Sequence, residues 1–70
     1  MPLLVAPENL PLHVIDIVSD DKTRKHLEAL GIVKGSLITL LDRSENAVIV
    51  KIKESRLALD RETSLSIRVG

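Results

Sequence analysis

The sequence contains no cysteine, phenylalanine, tyrosine or tryptophan. Without cysteine there is no disulfide framework, no thiolate metal site and no cysteine nucleophile. Without aromatic rings, single-stranded nucleic acid finds no platform on which bases stack. Surplus charge is missing too: ten Lys and Arg balance ten Asp and Glu, so no overall field draws a polyanion. Nucleic acid is therefore not an expected partner. No apolar run approaches the roughly 18 residues of a membrane helix, so direct membrane insertion is not expected either. The opening MPLLVAPENLP has no basic n-region, is interrupted early by two prolines, and shows no small-residue cleavage pattern, which argues against a signal peptide. These absences bound the chain to a small, soluble, cytoplasmic domain.

What the chain does have is aliphatic bulk. Of its 70 residues, 26 are Leu, Ile or Val, too many for disorder to be the default. That bulk matters because a chain this short buries only about 60% of its unfolded surface on folding. One domain covering residues 1–70 is expected.

The period of the apolar residues changes in order along the chain. Leu12 to Val18, LHVIDIV, is short and β-branched and predicts a mostly buried strand. In SDDKTRKHLEALG, Asp20 is placed to cap a short helix and Gly31 to end it in the left-handed conformation. Thr23, Leu27 and Leu30 share one side of that helix, and Asp21 and Lys25 form an i,i+4 pair on the other. So thin an apolar stripe needs a sheet to hold it. LITLLD, residues 37–42, reads as a central strand, and the following RSEN as a loop. In AVIVKIK, Val48, Val50 and Ile52 face one way while Ala47, Ile49, Lys51 and Lys53 face the other. SRLAL turns Leu57 and Leu59 inward, and SLSIRV turns Leu65, Ile67 and Val69 inward. The order is strand, short helix, then four short strands. A small closed or half-open barrel is the natural way to hide so many strand edges in so few residues.

Little chemistry survives a search of the motifs. Gly31 and Gly35 do not make a phosphate cradle, because a Walker A loop follows a strand and opens a helix, and here a helix comes first and a strand after. The two glycines instead read as a helix C-terminus and a turn into the next strand. His13 and His26 invite a metal, with Asp16, Asp20, Asp21, Asp42 or Glu45 as oxygen donors, yet no pair has ligand spacing. His26 also lies beside Lys22 and Lys25, which oppose a bound cation. No segment brings a nucleophile and a base together by periodicity, and an aliphatic barrel of this size leaves little room for a substrate pocket. A non-enzyme without metal or cofactor is expected. The remaining feature is the basic group Lys22, Arg24 and Lys25 on the helix, either a solvated face or a contact for an acidic partner.

Taken together in their order, HLEALGIVKGSLITLL and VIVKIKESRLALDRETSLSIRV closely resemble the FeoA family, the small bacterial ferrous iron transport protein A. The resemblance rests on Leu30-Gly31-Ile32, Gly35, Ile38 and Leu40, then Arg56-Leu57-Ala58-Leu59 and Ile67-Arg68-Val69, and spans roughly residues 10 to 69. Two departures stand out. Where members often have Gly before Arg-Leu-Ala-Leu, this chain has Glu54-Ser55. Before the first long strand it lacks the usual Gly, and Asn9 is the candidate for left-handed geometry there.

The resemblance implies a mainly β fold: a small SH3-like β-barrel of about five strands with one short helix inserted after the first long strand. It also implies a cytoplasmic accessory peripheral to the inner membrane, docked on FeoB, the membrane ferrous iron transporter with a GTP-binding domain. The surface expected to meet that partner combines Lys22, Lys25 and His26 on the helix with Leu30, Ile32 and Val33 at the corner set by Gly31 and Gly35. Two other readings remain: the SH3-like C-terminal domain of an iron-dependent transcriptional repressor, and a small RNA-binding barrel. The first would follow other domains, whereas this chain reads as complete. A weak homo-oligomer through a strand edge is a further expectation, with no edge singled out.

Overall fold

In the computed structural model, which describes residues 1–70, the alternating segments become strands as their period requires. The strands are β1 (Pro11–Ile17), β2 (Leu37–Arg43), β3 (Ala47–Ile52), β4 (Ser55–Asp60) and β5 (Ile67–Val69). Helix α1 (Asp21–Ala29) follows β1, and a second helix, α2 (Arg61–Ser66), precedes β5. All pairings are antiparallel, in the order β4-β3-β2-β1-β5. β2 is thus the central strand, as its apolar run suggested. Val48, Val50 and Ile52 point into the core and Ile49 out of it, as the period-two pattern demands.

Buried apolar residues from every strand, from α1 and from the N-terminal segment form one cluster. The sheet wraps that cluster with the help of bulges between Val14 and Asp16 and between Leu40 and Asp42, which bend the bulged strands. The wrap does not close. β4 and β5 are the two ends of the strand order and do not pair with each other, so in place of the expected barrel there is an open five-stranded antiparallel sheet.

Three local readings are corrected. Residues 64–66, expected to open the last strand, instead finish the helix Arg61–Ser66, because the Asp60 carboxylate accepts from the Thr63 N–H at 2.7 Å and nucleates a turn. The Ser64 and Ser66 hydroxyls then donate to the carbonyls of Arg61 and Thr63, a local pairing that competes with a strand ladder. Ser64 is consequently buried and satisfied, while Leu65, expected inside, is 46% exposed. Along β1 only Val14 and Ile17 are buried, while Ile15, and Val18 just past the strand, face solvent. Finally, the N-terminal stretch given no structure by its sequence forms a 3₁₀ turn, Leu3–Val5, that sends Leu3, Leu4 and Ala6 into the core. Arg43 fixes that turn: its Nε donates to the Leu4 carbonyl at 2.7 Å and its Nη2 to that of Ala6 at 2.6 Å.

Candidate docking surface

Helix α1 begins at Asp20, whose side chain accepts from the Thr23 N–H at 2.8 Å. It ends in a Schellman arrangement. The Ile32 N–H donates to Leu27 O, and the Gly31 N–H donates to Glu28 O, both at 2.9 Å. Gly31 has φ 88°, the left-handed value this ending requires, and the two residues that pack across it, Leu27 and Ile32, are fully buried. Val33 to Ser36 then make a β-turn closed by Ser36 N–H to Val33 O at 3.0 Å, with Gly35 at φ 87° in its third position, the place a type II turn reserves for glycine. The Ser36 hydroxyl donates to Gly31 O and accepts from the Val33 N–H, and the Gly35 N–H donates to Val14 O. Both glycines therefore do the work their spacing suggested. One ends the helix; the other turns the chain into the central strand.

The structure distributes the expected docking residues unequally. Lys22, Lys25 and His26 are all exposed on α1. Val33 stands 41% exposed at the corner, and Leu30 is half-buried beside it. Ile32 is corrected to a core residue: the Schellman ending turns it inward and leaves no surface for a partner. The expected Asp21–Lys25 pair is replaced by Arg24 and Asp21, three residues apart at 3.6 Å. Arg24 also reaches back to the carbonyls of Ile17 and Ser19, both at 3.5 Å. It closes one side of a cleft of about 170 Å³ that Ile17, Glu28, Val33 and Lys34 share. Arg24 is thus partly committed to the fold, and Lys22 and Lys25, which form no ion pair, are the free cations of this face.

A second concavity escaped the sequence reading. The N-termini of α1 and α2 face one groove of about 520 Å³ lined by Asp20, Thr23, Asp60, Thr63, Val18 and Leu65. Its signal is an Asp-x-x-Thr spacing that occurs twice, in Asp20–Thr23 and Asp60–Thr63. Hydrogen bonds from the threonine side chain first, and from its backbone N–H second, hold each carboxyl below the ordinary aspartate range. Both carboxylates are already occupied as caps. No three His, Cys, Asp or Glu side chains gather where one metal ion could be held, and no helix is long and apolar enough to cross a membrane.

Solved structures share this architecture. The chain superposes on a crystal structure of an iron uptake regulatory protein (FeoA) with a TM-score of 0.90 at 20% identity, covering 99% of this chain and 93% of that one. The solution structure of FeoA from Chlorobium tepidum gives 0.88 at 21% identity, over 99% of this chain and 68% of that one. A manganese-dependent transcriptional repressor gives 0.90 at 19% identity, with 99% of this chain matching 40% of that one. At these identities the likeness speaks for the fold alone. No curated protein sequence matches the chain. The model of the FeoA domain, however, matches residues 1–70 from end to end, and the chain belongs to the FeoA family.

Proposed function

We propose that this protein is a cytoplasmic, non-catalytic accessory of bacterial ferrous iron uptake that docks on a FeoB-type GTP-binding transporter and modulates it. The observation that carries this reading is the match to the FeoA domain across all 70 residues. The surface that serves it is the outer face of α1, where Lys22 and Lys25 stand exposed and unpaired, with Val33 exposed at the corner that follows the helix. Charges at such a rim act mainly on encounter rate and orientation. They suit an acidic patch on the transporter's cytoplasmic side.

The test is retention of the transporter from detergent-solubilised bacterial membranes on the purified, tagged protein, with and without a GTP analogue. Retention in either nucleotide state is the expected result. Lys25→Glu should weaken it several-fold while leaving the fold intact, because Lys25 is exposed and makes no ion pair. Normal retention of that variant would place the docking surface elsewhere. No retention of any kind by a folded protein would shift weight to the second reading, a regulatory domain. That reading draws on the fold shared with the manganese-dependent transcriptional repressor.

A further inference from the structure

The two edge strands of the sheet are finished in different ways. The β5 edge is covered: the Met1 amino group donates to Val69 O at 2.8 Å, the Val69 N–H donates back to Met1 O at 2.7 Å, and Pro2 bridges Arg68. The β4 edge has no such cover. β3 is its one strand neighbour, and no backbone hydrogen bond outside the helices and strands reaches residues 55–60. Two of the usual devices that blunt an edge are missing from it. It contains no proline, and its six-residue register with β3 runs without a bulge, unlike the pairings of β1 with β5 and of β2 with β3.

The β3–β4 turn settles which backbone groups are free. Lys53 and Glu54 form a two-residue loop closed by the pair Ile52 and Ser55. In such a hairpin the closing pair is hydrogen-bonded, and bonded residues then alternate along the strand. Ser55, Leu57 and Leu59 therefore spend their backbone groups on β3. Arg56 and Ala58 turn theirs outward, together with the Asp60 N–H.

We propose that this edge pairs with the same edge of a second copy of the chain, antiparallel about a two-fold axis at Ala58. The register follows from the sequence SRLALD. Centred on Ala58, the outward-facing residues lie opposite one another: Ala58 meets its own copy, and Arg56 meets Asp60 at both ends. Leu57, half-exposed on the core side of the open edge, meets Leu59. Shifting the axis to Leu57 instead brings Asp60 opposite Glu54, and shifting it to Leu59 separates Arg56 from Asp60. Only the Ala58 register sets opposite charges across the new ladder twice, the arrangement that favours cross-strand pairing. Such an isologous contact uses one patch twice and closes. The product is a continuous ten-stranded sheet with the α1 faces of both copies left free.

Sedimentation of the full chain across a concentration series, with Arg56→Glu and Ala58→Pro beside it, tests the pairing. The wild-type protein should pass from monomer to dimer as its concentration rises. Arg56→Glu puts two like-charged pairs into the ladder and should raise the dissociation constant about tenfold. Ala58→Pro removes a free N–H that serves no bond within the monomer, and an edge strand tolerates proline there, so a folded monomer is expected. Should that variant fail to fold, Arg56→Glu alone decides. A wild-type protein that stays monomeric at the highest soluble concentration overturns the proposal. So does a dimer whose dissociation constant is unchanged by Arg56→Glu.

Discussion

Val69 and Ala58 both lie in edge strands of one sheet, but they meet different fates. The N–H of Val69 is bonded to Met1, whose chain continues into a 3₁₀ turn anchored by two fully or nearly fully buried leucines. Ala58 is exposed, and nothing in its own chain completes it. The covered edge gains its cover from remote sequence, residues 1–6 packing on residues 67–69. The bare edge is made of residues whose backbone partners are all local, within a hairpin. An edge is sealed where distant chain is available to fold over it, and it is left for pairing where its outward backbone groups meet nothing else in the chain.

The largest break in this comparison should come from Leu3→Ala. Leu3 is 1% exposed in the core, and removing a buried leucine side chain costs about 2–5 kcal/mol. In a domain of this size that is a large share of the total stability. Leu57→Ala, at the bare edge, should cost about 1 kcal/mol, since its side chain is only partly buried against the rim of the core. Urea unfolding of the two variants measures the difference. Equal costs would mean that the N-terminal turn does not depend on Leu3 for its seat.

Arg43→Ala should come next. Its guanidinium holds the carbonyls of Leu4 and Ala6 and pairs with Glu8 at 3.6 Å. Bonds to a charged donor are worth about 1.5–3 kcal/mol when buried, and partial exposure reduces this to about 1–2 kcal/mol for the site. The sharper reading is hydrogen exchange. The Val69 amide should exchange faster in Arg43→Ala, while the Ala58 amide of the monomer exchanges fast in both proteins. Arg43→Lys should recover little, because an ammonium cannot reproduce the two-pronged geometry.

A smaller effect, of the opposite sign, is expected in the turn that begins the bare edge. Lys53 sits at φ 54°, a left-handed conformation that side chains resist. Lys53→Gly should raise the stability by about 0.5–1 kcal/mol, offset in part by the greater freedom of glycine in the unfolded chain. A higher urea midpoint with an unchanged slope is the expected outcome.

That lysine also marks how far the sequence could be read. The departure at Glu54-Ser55 pointed to a turn lacking its usual glycine, and the strained residue lies one position earlier. Asn9, by contrast, has φ 63°, as the missing glycine before β1 suggested. Strands with strict alternation, such as Val48-Val50-Ile52, were legible because one face meets the core and the other meets water. The helix end at Gly31 was legible because left-handed geometry selects glycine. The N-terminal turn was not, since Leu3 and Leu4 follow no period and are held by Arg43, which lies 39 and 37 residues from the carbonyls it binds. Nor was α2, where two serine hydroxyls and one aspartate cap outweigh an alternating Leu-Ile-Val pattern. On α1, the exposed lysines followed from helical spacing. Ile32 did not, because its direction depends on how the Schellman ending turns the chain.

The smallest expected effect concerns the two caps. Asp60 ends the bare edge and Asp20 follows the covered side of the sheet, and both carboxyls are held below the ordinary aspartate value of about 3.9 by bonds from Thr63 and Thr23. A carboxyl with a lowered folded-state pKa binds its proton less readily in the native chain than in the unfolded one. Its contribution to stability is therefore complete above the unfolded value and is lost as pH falls through the folded one. The melting temperature should accordingly hold level from neutral pH down to about 5 on account of these groups, then drop on further acidification. Asp60→Asn and Asp20→Asn keep an oxygen for the cap but cannot titrate, so each should flatten part of the acid drop. If the β4 edge pairs as proposed, Asp60→Asn carries a second signature that Asp20→Asn lacks: its melting temperature depends less steeply on protein concentration, because the charge opposite Arg56 of the second copy has gone.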